Sequence, residues 1–143
     1  MAFTPRNGVA AYQQQRAAGS IEDADPHRLT GLLFDGFVDC VNRARGHMVR
    51  GEIPEKGRQI TRAIAIAEEL QRALDPSVKA SPLPERLGAL YTYIQRRLLE
   101  ANLHNDPAAL DECLRLISPI REAWATIRPQ YLAERQQTTV QDP

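Results

Sequence analysis

At 143 residues, 43% hydrophobic and 25% charged, the chain has the size of one domain around one core, and an aromatic content of 6% makes that core mostly aliphatic. Eighteen basic residues balance eighteen acidic ones, so the basic excess of a nucleic-acid binder is missing; Arg96-Arg97 makes only one small solvated spot on a helix. No apolar run approaches the roughly 18 residues of a membrane span, and the N-terminus has no charged-then-apolar signal, so a cytoplasmic protein is expected.

Residues 1–24 show little periodicity. Pro5, Gly8 and Gly19 interrupt any helix and Gln13 to Gln15 is polar, which predicts a mobile N-terminal arm. Asp25-Pro26 then supplies an N-cap followed by proline at the first helical position, where its missing N–H costs nothing. Leu29, Leu33, Phe37, Cys40, Val41, Ala44 and Met48 recur at three- and four-residue steps as one helical face, until Gly51 and Pro54 stop and restart the chain. The second helix carries Ile60, Ala63, Ile64, Ala67, Leu70 and Leu74, and Asp75-Pro76 ends it. After a loop with Pro76, Pro82 and Pro84, the third runs from about Leu83 to His104 with Leu87, Leu90, Tyr91, Ile94, Leu98 and Ala101 inward. Asn105-Asp106-Pro107 makes a turn and a new N-cap.

The fourth helix carries Leu110, Cys113, Leu114, Ile117, Ile120 and Trp124. Pro119 lies inside that stripe, yet the period continues to Ile127 and Tyr131, which predicts a kink and not an end. The expected fold is all-α: an elongated antiparallel four-helix bundle over residues 25–135, with the mobile arm 1–24 and a frayed polar tail 136–143, all one domain.

Several helices carry apolar residues that one core stripe does not use. At about 100° per residue, Phe34 and Val38 of the first helix, Ile66 of the second and Tyr93, Leu99 and Leu103 of the third lie off the main face. A wide stripe touching two neighbours accounts for each residue alone, whereas an exposed row would make a groove for an amphipathic partner.

Catalytic and metal chemistry find little support. His27, His47 and His104 have neither a second histidine nor a carboxylate at ligand spacing, and the Glu-x-x-His step of a bundle metal site is missing, so no metal and no cofactor are expected. The adjacent pairs Glu68-Glu69 and Asp111-Glu112 point about 100° apart on a helix and cannot readily share a proton. Cys40 and Cys113 read as buried thiols. His47-Met48-Val49-Arg50-Gly51 is similar to the His-x-x-Lys-Gly strip of histidine phosphotransfer bundles, but arginine replaces lysine and Glu52-Ile53-Pro54 ends the helix. A helix-end histidine is already explained by the helix dipole. Phosphotransfer through His47 and a self-assembling structural bundle stand as the alternative functions.

The segment Leu90 to Asp106 holds Tyr91 and Tyr93, then Arg97-Leu98, Glu100-Ala101-Asn102 and Asn105-Asp106. In that order and spacing it resembles the third helix of the flagellin export chaperone family, FliS. Ala11-Tyr12-Gln13, the stretch Pro26, Leu29, Leu32, Leu33, Asp35-Gly36, and Arg121-Glu122-Ala123-Trp124 resemble the family's N-terminal signature, opening helix and closing helix. The resemblance implies a non-enzymatic cytosolic chaperone whose bundle binds the disordered C-terminal segment of flagellin, blocks its premature polymerisation and keeps it competent for type III export. Phe34, Val38, Ile66, Tyr93, Leu99 and Leu103 would then line the groove. Tyr12 with Val9 would plug it until flagellin arrives, and Tyr91, Arg97, Leu98, Ala101 and Asn102 would be the family-motif positions. Other flagellar proteins and the export gate are further expected partners; the free protein is expected as a monomer or homodimer.

Overall fold

The computed structural model describes residues 25–74 and 83–141, with side chains placed through residue 137. It is all-helical over those residues: α1 Pro26–Val49, α2 Ile53–Arg72, α3 Leu83–His104, α4 Pro107–Thr126 and α5 Arg128–Gln141.

Each start and stop has a local cause. The Asp25 carboxylate accepts from the Arg28 amide at 2.8 Å and Pro26 opens α1. Gly51 turns the chain toward α2 at φ 74, a left-handed conformation that glycine adopts without steric cost. Asn105 ends α3 at φ 50, the region asparagine tolerates best among residues with a side chain, and Asp106 caps α4 by accepting from the Ala108 amide at 3.0 Å.

α1 packs on α2 and α4, and α3 packs on the same two helices, which closes a four-membered ring. Cross-helix bonds give the directions. The Arg45 guanidinium near the end of α1 meets Asp111 near the start of α4 at 2.7 Å, while His27 at the start of α1 meets Trp124 at the end of α4. Lys56 at the start of α2 likewise reaches the end of α3, and Gln71 at the end of α2 reaches Gly88 at the start of α3. Neighbours are therefore antiparallel, as expected for helices joined by short turns. Phe37, Val41, Ile60, Ile94, Leu98 and Leu110 fill the centre.

One expectation is corrected at the C-terminal end. Pro119 does lie within α4, which runs on to Thr126, but the chain turns at Ile127 and a separate fifth helix begins at Arg128. Pro129, the second residue of α5, falls in the first turn of the new helix, where a missing backbone donor costs nothing. The fifth helix continues to Gln141. Its attachment is local: the Arg128 guanidinium holds Asp25 through both nitrogens, at 2.9 and 3.2 Å, and the Tyr131 ring lies 5.1 Å from that of His27.

Candidate partner-binding surface

α3 presents three faces. Tyr91, Ile94, Leu98 and Ala101 are buried, and burial pushes the Tyr91 hydroxyl up to about 12. Toward α4, Arg97 donates to Glu112 at 2.6 Å and pairs with Glu100 on its own helix. The Tyr93 hydroxyl donates to the same Glu112 carboxylate at 3.1 and 3.2 Å. These bonds hold Glu112 below the ordinary carboxylate range, Arg97 first and Tyr93 after the opposing effect of desolvation, and they raise Tyr93.

Toward α2, Gln95 donates to Gln71 at 3.0 Å, and the Lys56 ammonium donates to the Asn102 carbonyl at 2.9 Å and to Asn105 Oδ1 at 2.7 Å. Lys56 is only 3% exposed. Its charge is placed where the last carbonyls of α3 concentrate negative potential, so it caps that helix from a neighbouring one. Leu99 lies one turn from Gln95 on this side, and Leu103 one turn further, at 58% and 75% exposure. Ile53, at the first position of α2, adds a 48% exposed aliphatic side chain to the end of the bundle where α3 finishes.

The six residues expected in one groove therefore do not meet. Leu99 and Leu103 form an exposed pair on the α2 flank of α3, and Tyr93, 37% exposed, stands on the α4 flank. Val38 is half-buried against the core. Phe34 and Ile66, expected off the core face, are 2% and 1% exposed. The reason is the ring: α1 and α2 each bury side chains against two neighbours, and Trp124 of α4 lies over Phe34 with ring centroids 6.3 Å apart. Of the motif residues, Leu98 and Ala101 are core, Arg97 serves the α3–α4 ion pairs and Asn102 offers its carbonyl to Lys56. Val9 and Tyr12 lie outside the described residues.

His47 meets a carboxylate across the α1–α2 turn: its Nδ1 lies 3.0 Å from Glu52, which also accepts from Arg50 at 2.7 Å. Glu52 is lowered by both contacts, that with His47 the larger. Both thiols are buried and pushed up by desolvation, Cys40 to about 11 and Cys113 to about 12. Among the described residues no group of three or more His, Cys, Asp or Glu is placed to hold a metal ion, and no helix is long and apolar enough to cross a membrane.

The family described as "Flagellar protein FliS" matches residues 8–131, which include every helix that forms the ring. The chain belongs to the FliS family. Among its relatives is the "Flagellar secretion chaperone FliSB" of Pseudomonas aeruginosa, 42% identical over 113 residues that cover 79% of this chain and 89% of the relative. The "Flagellar secretion chaperone FliS" of Salmonella typhimurium is 38% identical over 125 residues, 87% of this chain and 92% of its own. That of Bacillus subtilis is 30% identical over 119 residues, 83% and 84% of the two chains. The FliS match starts within the first ten residues, so it takes in the segment with Tyr12 as well as the described bundle.

Proposed function

We propose that this FliS-family chain is a non-enzymatic flagellar export chaperone that works in the cytosol, binds the disordered C-terminal segment of newly made flagellin, and keeps it from polymerising before type III export. Family membership and the names of its relatives support the chaperone role. The observation that carries the binding mode is the pair Leu99 and Leu103, exposed at 58% and 75% within the segment that resembles the family's third helix. Two exposed leucines one turn apart on a helix are a natural seat for the apolar face of a client helix. Ile53 extends this seat, while Tyr93 on the α4 flank of α3 stands apart from it. Val9 and Tyr12 of the arm cover the seat when no client is bound.

The client loses conformational freedom when it orders on the bundle, so the contact must bury much apolar surface to offset that cost. Calorimetric titration with a peptide covering the flagellin C-terminal segment of the same organism tests this. One-to-one binding with a strongly negative heat-capacity change, lost in Leu99→Asp/Leu103→Asp, is the expected result. Binding retained by the double variant would keep the chaperone and move the seat elsewhere. No binding by the unmodified protein would overturn the flagellin reading.

A further inference from the structure

A second surface lies apart from the α3 leucines, between the first turns of α1 and the last turns of α4. It is a trough of about 410 Å³, open to solvent, within the range of roughly 300–1,000 Å³ typical of ligand sites. Its walls combine Leu32, Phe34 and Trp124 with three arginines, two of them Arg121 and Arg128, against a single aspartate, Asp35.

We propose that this trough docks an acidic, aliphatic segment of a protein partner: a glutamate or aspartate side chain of the partner on Arg121, and a neighbouring aliphatic side chain against Trp124 and Leu32. Three features point that way. The apolar wall is fixed in advance, because Trp124 is bonded to His27 at both ends and stacked on its ring at 4.5 Å. A wall that needs no ordering loses little entropy on binding. Arg121 stands beside the apolar wall and offers an incoming carboxylate a charge-assisted partner.

The arginines also differ in how tightly they are held. Asp25, whose side chain is only 13% exposed, grips Arg128 with both carboxylate oxygens. Arg121 pairs with Asp35 at 2.8 Å, but the two side chains are 45% and 44% exposed, and solvated pairs of that kind add little to stability. An incoming carboxylate can take the place of Asp35 at small cost. An open trough admits a chain that runs on past it, which favours an internal acidic side chain over a chain terminus. Leu32 and Asp35 come from the segment resembling the family's opening helix, and Arg121 and Trp124 from the one resembling its closing helix. The α3 seat leaves all four without a role.

Trp124 is the single tryptophan of the chain, so its indole N–H resonance in the full-length protein reports the trough alone. The probe is the capped peptide acetyl-Ala-Leu-Glu-Leu-Ala-amide. The expected result is a saturable indole shift with millimolar affinity, weakened at least fivefold when glutamine replaces the peptide's glutamate, and weakened as much by Arg121→Gln. Asp35→Asn, which removes the competing carboxylate, tightens binding at least twofold. The two variants move affinity in opposite directions, so loss of folding cannot imitate the pattern; far-UV circular dichroism checks that both fold. Equal binding of the glutamate and glutamine peptides, indifference to Arg121→Gln, weakening by Asp35→Asn or absence of any shift would each overturn the proposal. So would inorganic phosphate reproducing the shift with the same dependence on Arg121, since that would mark a simple anion site.

Discussion

His27 and Trp124 hold each other by two reciprocal hydrogen bonds, each 2.8 Å: His27 Nε2 donates to the Trp124 carbonyl, and Trp124 Nε1 donates to the His27 carbonyl. The rings stack almost parallel, 10° apart, and Nδ1 of His27 faces the Arg128 guanidinium at 3.1 Å. A guanidinium only donates, so Nδ1 accepts and the ring carries its proton on Nε2. Residues 97 positions apart are thereby locked at the junction of α1, α4 and α5.

His27→Ala removes the stack and leaves the Trp124 carbonyl without its donor. The expected loss is about 2–3 kcal/mol in urea unfolding followed by circular dichroism. Trp124→Phe keeps a ring over His27 and Phe34 but drops the Nε1 donor, and a smaller loss of about 1–2 kcal/mol is expected.

Asp25 gives the junction a dependence on acid. The Arg128 bond, the largest influence, holds its carboxyl at about 2, well below the ordinary 3.8. A carboxyl lowered by folding stabilises the native state in full above its unfolded value and loses that contribution as pH falls through the folded one. Between about pH 4 and pH 2 the protein should therefore lose up to about 2 kcal/mol more than Asp25→Asn does. Asparagine still caps α1, so comparing the two proteins by urea unfolding at each pH isolates the ion pair.

Lys56→Met should destabilise the bundle by about 2 kcal/mol, because the Asn102 carbonyl and the Asn105 amide oxygen lose their shared donor. The damage should concentrate in the last turn of α3, and faster amide hydrogen exchange there than in α1 would confirm it.

Phe34→Ala and Leu99→Ala separate core from surface. Phe34 is 2% exposed and its truncation should cost about 3–5 kcal/mol, whereas Leu99, 58% exposed, should cost under about 0.5 kcal/mol in thermal unfolding. Client affinity should respond in the reverse order.

Much of the bundle was readable from local chemistry. Asp25-Pro26 and Asp106-Pro107 announce two helix starts, and both carboxylates accept the expected backbone N–H bonds. The break before α5 has the same kind of signal in Pro129, but the unbroken apolar period through Ile127 and Tyr131 overrides it in a periodicity reading. Phe34 and Ile66 lie in the core for a geometric reason: angle from a single stripe measures distance from one neighbour, and a ring helix has two. Lys56 and His27 show no local signal at all, because their partners stand 46 and 97 positions away and only the tertiary arrangement brings a ladder end or an indole to meet them. The candidate seat was half legible. Leu99 and Leu103 emerge from helical spacing, but their separation from Tyr93 depends on which helix packs on which side of α3.

The carboxylate of Asp25 serves the starts of two helices at once. It caps α1 and, 103 positions later, clamps the first residue of α5. One side chain thus ties the first turn of the first described helix to the first turn of the last. Truncation of α5 would undo the tie and leave α1 capped. Asp25→Ala would undo it and uncap α1 together, so its cost should not equal the sum of the two separate lesions.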